Sequence, residues 1–368
     1  MNEKSKRLLS LDALRGFDMF FIMGGEALVI ALAAFLPDEA AAFVARQMGH
    51  KAWHGLAAYD LIFPLFLFLA GVSLPFSLSK QLSCGKSKKM IALRILRRAL
   101  LLVLLGVLYN GFLSLDFENM RFASVLGRIG AAWAIASLIY LFAGRRTAVV
   151  VSVALLLGYW ALLALCRAPD APASASVFSM EGSIVGYVDR LLMPGVLHVG
   201  IHDPEGLLST LPAVVTAMMG IFTGDFVRNS TLGEPKKVWA MLAASVALLV
   251  AGYLWGGIFP INKNLWTSSF VCCGAGYSLL LFALFYLVID VWGCRRWSFF
   301  FAVIGVNSIT IYLARQFLDF GKPVQTLFGG LLGLLPQQFY AVGYWACYVA
   351  VCWLFLYFLY RQKIFLKV

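Results

Sequence analysis

Residues 59–79 read YDLIFPLFLFLAGVSLPFSLS, a run whose one charged side chain, Asp60, sits at its start. A helix crossing a bilayer needs about 20 mainly apolar residues to cover a hydrocarbon core of about 30 Å, and this run supplies them. Windows of the same kind recur from Leu14 to Tyr360, with one long interruption between Cys166 and Leu208. The whole chain shares the bias: 61% of its 368 residues are hydrophobic and 13% are charged, against about 45–50% and about 25% in soluble domains. The bilayer is therefore the expected solvent. The fold class is all-α, a polytopic transmembrane helix bundle forming one domain over residues 1–368 with no soluble enzyme module attached.

About ten spans can be drawn, at 14–36, 59–79, 95–114, 122–143, 147–166, 208–227, 238–258, 267–291, 298–318 and 340–360. The net charge of +12 would suggest nucleic acid in a soluble protein, but in a membrane protein the distribution of Lys and Arg carries the information. Placing the N-terminus inside puts Lys4, Lys6, Arg7, Lys80, Lys86, Lys88, Lys89, Arg94, Arg97 and Arg98 on the cytoplasmic face. Arg145, Arg146, Arg228, Lys236, Lys237, Arg295, Arg296, Arg361, Lys363 and Lys367 follow them there. Both termini are then cytoplasmic. An eleventh span at 322–335 would export the basic C-terminus, so that segment is expected to be re-entrant or interfacial. Asp18 and Glu26 inside the first span argue for a retained helix over a cleaved leader. Neither a GxGxxG nor a P-loop pattern occurs, so no soluble-type nucleotide site and no nucleic acid is expected.

The ionisable side chains singled out inside spans are Asp18, Glu26, Asp60 and Arg128. Groups at that depth are costly and mark function by default, facing a cavity or a partner. Asp18 and Glu26 are about two helical turns apart, so both can face one interior cavity; an ion pair of one of them with Arg128 is the competing reading. The segment RFASVLGRIG (121–130) sets Arg121 and Arg128 among small residues, where an arginine holds an anionic group or joins helices.

The outer face carries two large loops, 37–58 and 167–207, and all four histidines, His50, His54, His198 and His202, lie in them. Each pair has i, i+4 spacing, which on a helix would offer two metal ligands, with Asp203 and Glu205 near the second. Neither pair shows an HExxH pattern and proline and glycine follow the second, so no metal is expected. A histidine neutral near pH 7 suits general-base or nucleophilic work instead.

Ordered motifs run the length of the chain: RLLSLDALRGFDM (7–19), HKAWHG (50–55) followed by YDLIFPLFLFLAGVS (59–73), VLGRIG (125–130), GYVDRLL (186–192), DPEG (203–206), FPINKNLWTSSFV (259–271), IGVNSITIYL (304–313) and YRQKIF (360–365). On these residues the chain resembles the heparan-α-glucosaminide N-acetyltransferase family, with its bacterial homologues, within the transmembrane acyltransferase superfamily. The resemblance implies an enzyme that takes acetyl from cytoplasmic acetyl-CoA and delivers it to the amine of a glucosamine on the far side of the membrane. The family's functional histidine, in an H-x-x-W-[N/H]-G motif, matches His50, and a polar residue late in the first core span matches Glu26. With Asp60 they form the expected catalytic set. His54, Asp203, Glu205, Asn262, Lys263, Asn264 and Trp266 are expected to bind the acceptor. Arg15, Asp18, Arg128 and Asn307 are expected to serve acetyl-CoA. Arg94, Arg97 and Arg98 supply further positive charge, either for the CoA head group or as topogenic charge. The remaining expectations are a bacterial inner-membrane location, contact with membrane lipid, an amino-sugar or glycan acceptor, and a homodimer. A secondary transporter of small solutes, for which mid-span carboxylates are also expected, and a sugar O-acetyltransferase are the alternatives.

Overall fold

The structure, a computed structural model, describes residues 8–366; of the cations read as cytoplasmic, Lys4, Lys6, Arg7 and Lys367 lie outside the described residues. Among the described residues the regular structure is helical, with two isolated β-bridges, Arg121 to Gly195 and Arg167 to Ser183, and no strand. Seven helical stretches are long and apolar enough to cross a membrane, or eight if one bent pair counts as a span.

The difference from ten has physical causes. The two segments read at 122–143 and 147–166 form one stretch, α6 (Val125–Leu165), broken only where Gly144 leaves helical geometry at φ 76°. Its 41 residues extend about 60 Å at 1.5 Å per residue, enough for two crossings. The segment read at 95–114 belongs to α5 (Lys88–Tyr109), whose first half carries Lys88, Lys89, Arg94, Arg97 and Arg98. The segment read at 298–318 is bent by 68° between α11 (Ser298–Val306) and α12 (Ser308–Phe317). The segment read at 322–335 is α13 (Gly321–Gly333), whose 13 residues reach about 20 Å and fall short of a span.

The chain divides into two compact units. The first comprises the chain up to His50, Ala57–Ile62 and the chain from Leu281. It opens with α1 (Leu9–Phe20), a π-helical turn at Phe21–Gly25 and α2 (Glu26–Ala33). Gly24 at φ 120° makes the break, a conformation that costs glycine little. Asp18 and Glu26 therefore do not lie on one continuous helix, and the two-turn argument for a shared face does not apply. Helices α1 and α11 cross through glycines: a Cβ on Gly16 would stand 1.7 Å from the Phe301 carbonyl, and one on Gly305 would stand 1.8 Å from that of Asp12. Such backbone approach is how helices associate without a hydrophobic driving force. Also in this unit are α3 (Asp38–Gln47) and the long α14 (Gln337–Arg361).

The second unit comprises Lys51–Leu56 and Phe63–Leu280. It holds α4 (Ile62–Ser83) from Phe63 onward, α5, α6, the short α7 (Ile184–Leu192), α8 (Thr210–Asn229), α9 (Glu234–Gly256) and most of α10 (Ser268–Phe285). Helices α4 and α8 meet where Gly220 and Gly224 face the carbonyls of Phe68 and Val72, each about a bond length and a half from where a Cβ would sit (2.0 and 2.2 Å). Between α6 and α8, and between α9 and α10, the chain is mostly irregular, and its backbone is tied down by side chains.

Candidate functional site

The first unit holds the histidine that the sequence singles out. Asp60 lies in the 3-10 turn Ala58–Leu61 that leads into α4. It is 1% exposed, and one carboxylate oxygen accepts the Ala57 backbone N–H at 3.0 Å. The other lies 2.8 Å from Nδ1 of His50. An ionised carboxylate can only accept, so this contact holds the proton on Nδ1 and leaves a lone pair on Nε2. The His50 side chain is about half exposed (52%). A buried carboxylate orienting an accessible imidazole is the arrangement that prepares a general base or nucleophile.

Tyr59, which the sequence reading did not single out, completes this group. Its ring packs against His50 with centroids 4.9 Å apart at 53°, and its hydroxyl hydrogen-bonds Glu26, with Asp18 and Arg315 in electrostatic reach. Glu26 opens α2 directly after the π turn; single π turns inside helices recur at functional sites. Asp18 is buried, and its Oδ2 has no hydrogen-bond partner in the protein. Asn307 is the residue at the bend between α11 and α12, and its amide donates to the Ile364 carbonyl at 3.2 Å. Arg15 stands 3.9 Å from Asp12 one turn away.

The second unit carries the other polar groups. Neither histidine pair is helical, so the i, i+4 spacing does not place its members on one face. His202 is buried and its Nε2 donates to the Asn264 carbonyl at 3.1 Å, while His198 is exposed. Burial pushes the His202 pKa down to about 4. His54 is approached at 3.3 Å on Nδ1 by the Asn262 amide, and partial burial lowers its pKa below the usual histidine value. The lone pair of His54 at Nδ1 thus already accepts a hydrogen bond, whereas His50 donates from Nδ1. Among the described residues no group of three or more His, Cys, Asp or Glu side chains is placed to hold a metal.

The NKN segment is locked from several sides. Asn262 is buried; its Oδ1 accepts the Leu265 N–H at 2.9 Å and its backbone N–H donates to the Thr267 hydroxyl at 3.1 Å. The Asn264 amide donates to the Ala52 carbonyl at 3.2 Å. Trp266 is buried at a left-handed φ of 51°, and its indole N–H reaches the Thr216 hydroxyl at 3.2 Å. Above it lies Arg128, 2% exposed, with its guanidinium 5.0 Å from the Trp266 ring centroid. Arg128 donates through Nη2 to the Gly206 carbonyl at 3.3 Å and to the Ser209 hydroxyl, while Nε and Nη1 have no protein partner.

The DPEG turn is braced by Arg121, whose Nε and Nη2 donate to the two oxygens of Asp203 at 2.7 and 2.6 Å and whose Nη2 also reaches Glu205. Asp203 further accepts the backbone N–H groups of His198 and Glu205. Burial alone would raise the Asp203 carboxyl, but Arg121 and these N–H donors outweigh it and hold it below the usual range. Asp189 is buried against Gly206 and accepts the Leu207 N–H at 2.8 Å; burial pushes its carboxyl up to about 6. Arg121 stood in the sequence beside a recognised motif, and Asp189 inside another, but only the fold shows that both hold the DPEG turn.

Known proteins match this chain along most of its length. Residues 7–159 match a family model described as a domain of unknown function (DUF5009). Heparan-alpha-glucosaminide N-acetyltransferase of Homo sapiens is 27% identical over 87% of this chain and 55% of its own length, and that of Mus musculus is 25% identical over 87% and 56%. The chain is a distant relative of these N-acetyltransferases. It spans about half the length of the curated relatives it matches.

Proposed function

We propose that the protein is a transmembrane N-acetyltransferase that moves acetyl from cytoplasmic acetyl-CoA to the amine of a glucosamine-type sugar on the outer face of a bacterial inner membrane. In this reading residues 1–368 form a single acyltransferase domain of about ten spans with both termini cytoplasmic. The observation that carries it is the buried Asp60 carboxylate 2.8 Å from Nδ1 of His50, in a chain distantly related to enzymes of that name.

An amine must lose a proton to become an amide nitrogen, and the Nε2 lone pair of His50 accepts that proton while the new N–C bond forms and the thioester C–S bond breaks; CoA leaves as its thiolate and takes the proton from the imidazolium. Asp60 stabilises the imidazolium that results. Glu26, held by Tyr59, supplies a second carboxylate in the same unit. Arg15, Asp18, Arg128 and Asn307 serve the donor. His54, Asn262, Lys263 and Asn264 bind the acceptor, with Asp203, Glu205 and Trp266 fixing the loops that present them. The test is mass spectrometry of a panel of amino sugars incubated with acetyl-CoA and the purified protein, alongside His50→Ala and His54→Ala. Loss of transfer in His50→Ala with retained acetyl-CoA binding is the expected result. Loss in His54→Ala alone would move the base to the other histidine, and an O-acetylated product would change the acceptor group.

One observation favours a second reading. The first unit has a helix broken at Phe21–Gly25 and another bent at Asn307, with the buried Asp18 on the first, and broken helices beside ionisable groups are also how transporters build solute sites. Solute uptake into vesicles without any acetylated product would support that reading.

A further inference from the structure

From Leu61 to Leu115 the chain contains Lys80, Lys86, Lys88, Lys89, Arg94, Arg97 and Arg98 and no Asp or Glu. Topogenic charge needs only to lie in the loop, and Lys80, Lys86, Lys88 and Lys89 meet that need. The arginines are different, because they sit two to three turns inside α5.

Their directions are divided. Arg98 turns toward the protein, with its guanidinium 4.6 Å from the Trp133 ring centroid. Arg94 and Arg97 are exposed. They lie at the middle of one continuous exposed stripe, Met90, Leu93, Arg94, Arg97, Leu100, Leu101 and Leu104, which follows the i, i+3, i+4, i+7 rule for one helix face. Opposite it, Ile91, Ile95, Ala99 and Leu102 are buried. Among the described residues neither Arg94 nor Arg97 has an acidic partner; Arg94 donates to the neutral Gln81 amide oxygen at 2.7 Å, which fixes its guanidinium at the end of α4. Beyond Arg97 the exposed face is leucine only for seven residues, about 10 Å of helix.

We propose that this stripe binds an anionic phospholipid, the phosphate and headgroup held by Arg94 and Arg97 and an acyl chain lying along Leu100, Leu101 and Leu104. Charge complementarity and the order of the stripe, two cations followed by apolar surface, match one lipid molecule from headgroup to tail. Two guanidiniums one turn apart suit a phosphate better than ammonium groups do, because each presents a planar fork of donors.

The experiment is native mass spectrometry of the full chain in detergent, titrated with phosphatidylglycerol or phosphatidylcholine. The wild type should retain phosphatidylglycerol in preference to phosphatidylcholine, and R94Q/R97Q should lose roughly 30-fold of that preference, since each cation at a membrane surface changes affinity about fivefold. R94K/R97K, which keeps the charge, should retain part of it, and equal folding of all three forms is checked by thermal unfolding. No phosphatidylglycerol preference in the wild type, or an undiminished one in R94Q/R97Q, would overturn the proposal. So would displacement of the lipid by acetyl-CoA together with weaker acetyl-CoA binding in R94Q/R97Q, which would assign the arginines to the donor's phosphates.

Discussion

Asp60→Asn separates the orienting role of this carboxylate from its structural one. The substitution preserves shape, and the amide oxygen can still accept the Ala57 N–H now held at 3.0 Å, so the turn into α4 should survive. What changes is the group 2.8 Å from Nδ1 of His50. A carboxylate there can only accept; an amide offering its NH2 would favour the tautomer with the proton on Nε2, and the lone pair needed for proton abstraction would be lost. General-base catalysis contributes about 10²–10⁴-fold, equivalent to about 3–5 kcal/mol of barrier at 1.4 kcal/mol per factor of ten. Asp60→Asn should therefore approach His50→Ala in transfer to glucosamine while its thermal unfolding in detergent stays within about 1 kcal/mol of wild type, because one neutral hydrogen bond replaces a charge-assisted one. Asp60→Ala should differ by also losing stability, about 1–3 kcal/mol for the Ala57 N–H left without a partner. The decisive assay is single-turnover acetyl transfer followed by mass spectrometry at saturating acetyl-CoA. If Asp60→Asn retains more than about a tenth of wild-type turnover, a bound set by the lower end of the catalytic range, Asp60 does not act through His50.

Three further perturbations have expected outcomes. Tyr59→Phe keeps the ring against His50 and removes the hydroxyl from Glu26; transfer should fall by up to about tenfold, within the worth of one hydrogen bond of 0.5–1.5 kcal/mol, and this loss should vanish in a Glu26→Gln background when the two are compared in a double-mutant cycle. Arg121→Ala leaves the buried Asp203 carboxylate without its partner and should cost about 3–5 kcal/mol in thermal unfolding, whereas Arg121→Lys should recover only part because it lacks the two-pronged fork. Asp189, raised to about 6 from an unfolded value near 4, takes up protons more readily when folded. Its contribution to stability is full below about pH 4 and is lost as pH rises through about 6, so Asp189→Asn should gain stability relative to wild type from pH 5 to pH 7.5, by up to a few kcal/mol. Asp203, held low, works in the opposite direction, and its share of stability disappears as pH falls; a melting series in Asp189→Asn and Asp203→Asn separates the two.

The helical class of the chain was legible because long apolar runs have few other uses. The breaks were less so. The break at Gly144 falls in the gap read between the spans 122–143 and 147–166, but Gly24 stands inside an apolar stretch, where glycine is common in membrane helices, and only its left-handed φ marks it as the point where a helix ends. Arg145 and Arg146, read as an inside loop between two spans, directly follow the Gly144 break and are themselves helical. At the site, His50 was legible from its motif and Asp60 as the one charged residue at the start of an otherwise apolar run. Their contact was not, because it depends on a 3-10 turn of four residues that carries no strong sequence signal. Tyr59 was missed for a related reason: beside Asp60 in an apolar run, a tyrosine reads as an interfacial aromatic. Asn262 and Asn264 were expected to face an acceptor, yet much of their hydrogen-bonding capacity is spent within the fold.

That expenditure follows from the solvent. Irregular backbone near a membrane survives only where each polar group finds a partner in the protein or lines a polar cavity, and the segment from Asp189 to Ser209 is irregular over most of its length. Its polar groups are met within the same unit: Arg121 on the carboxylates of Asp203 and Glu205, Arg128 on the Gly206 carbonyl and the Ser209 hydroxyl, Asp189 on the Leu207 N–H, and His202 on the Asn264 carbonyl. The arginine contacts among these place charge in buried surroundings, at Asp203 and at Arg128, which is expensive unless the geometry is held. A loop needed only to connect α7 to α8 would not require that many buried polar anchors, since a short solvated turn would do so at lower cost. A loop needed to present groups to a substrate with little reorganisation would, because rigid positioning of polar groups is where catalysis gains most. The density of anchors on this segment is thus the physical argument for looking there for the acceptor of the proposed transfer.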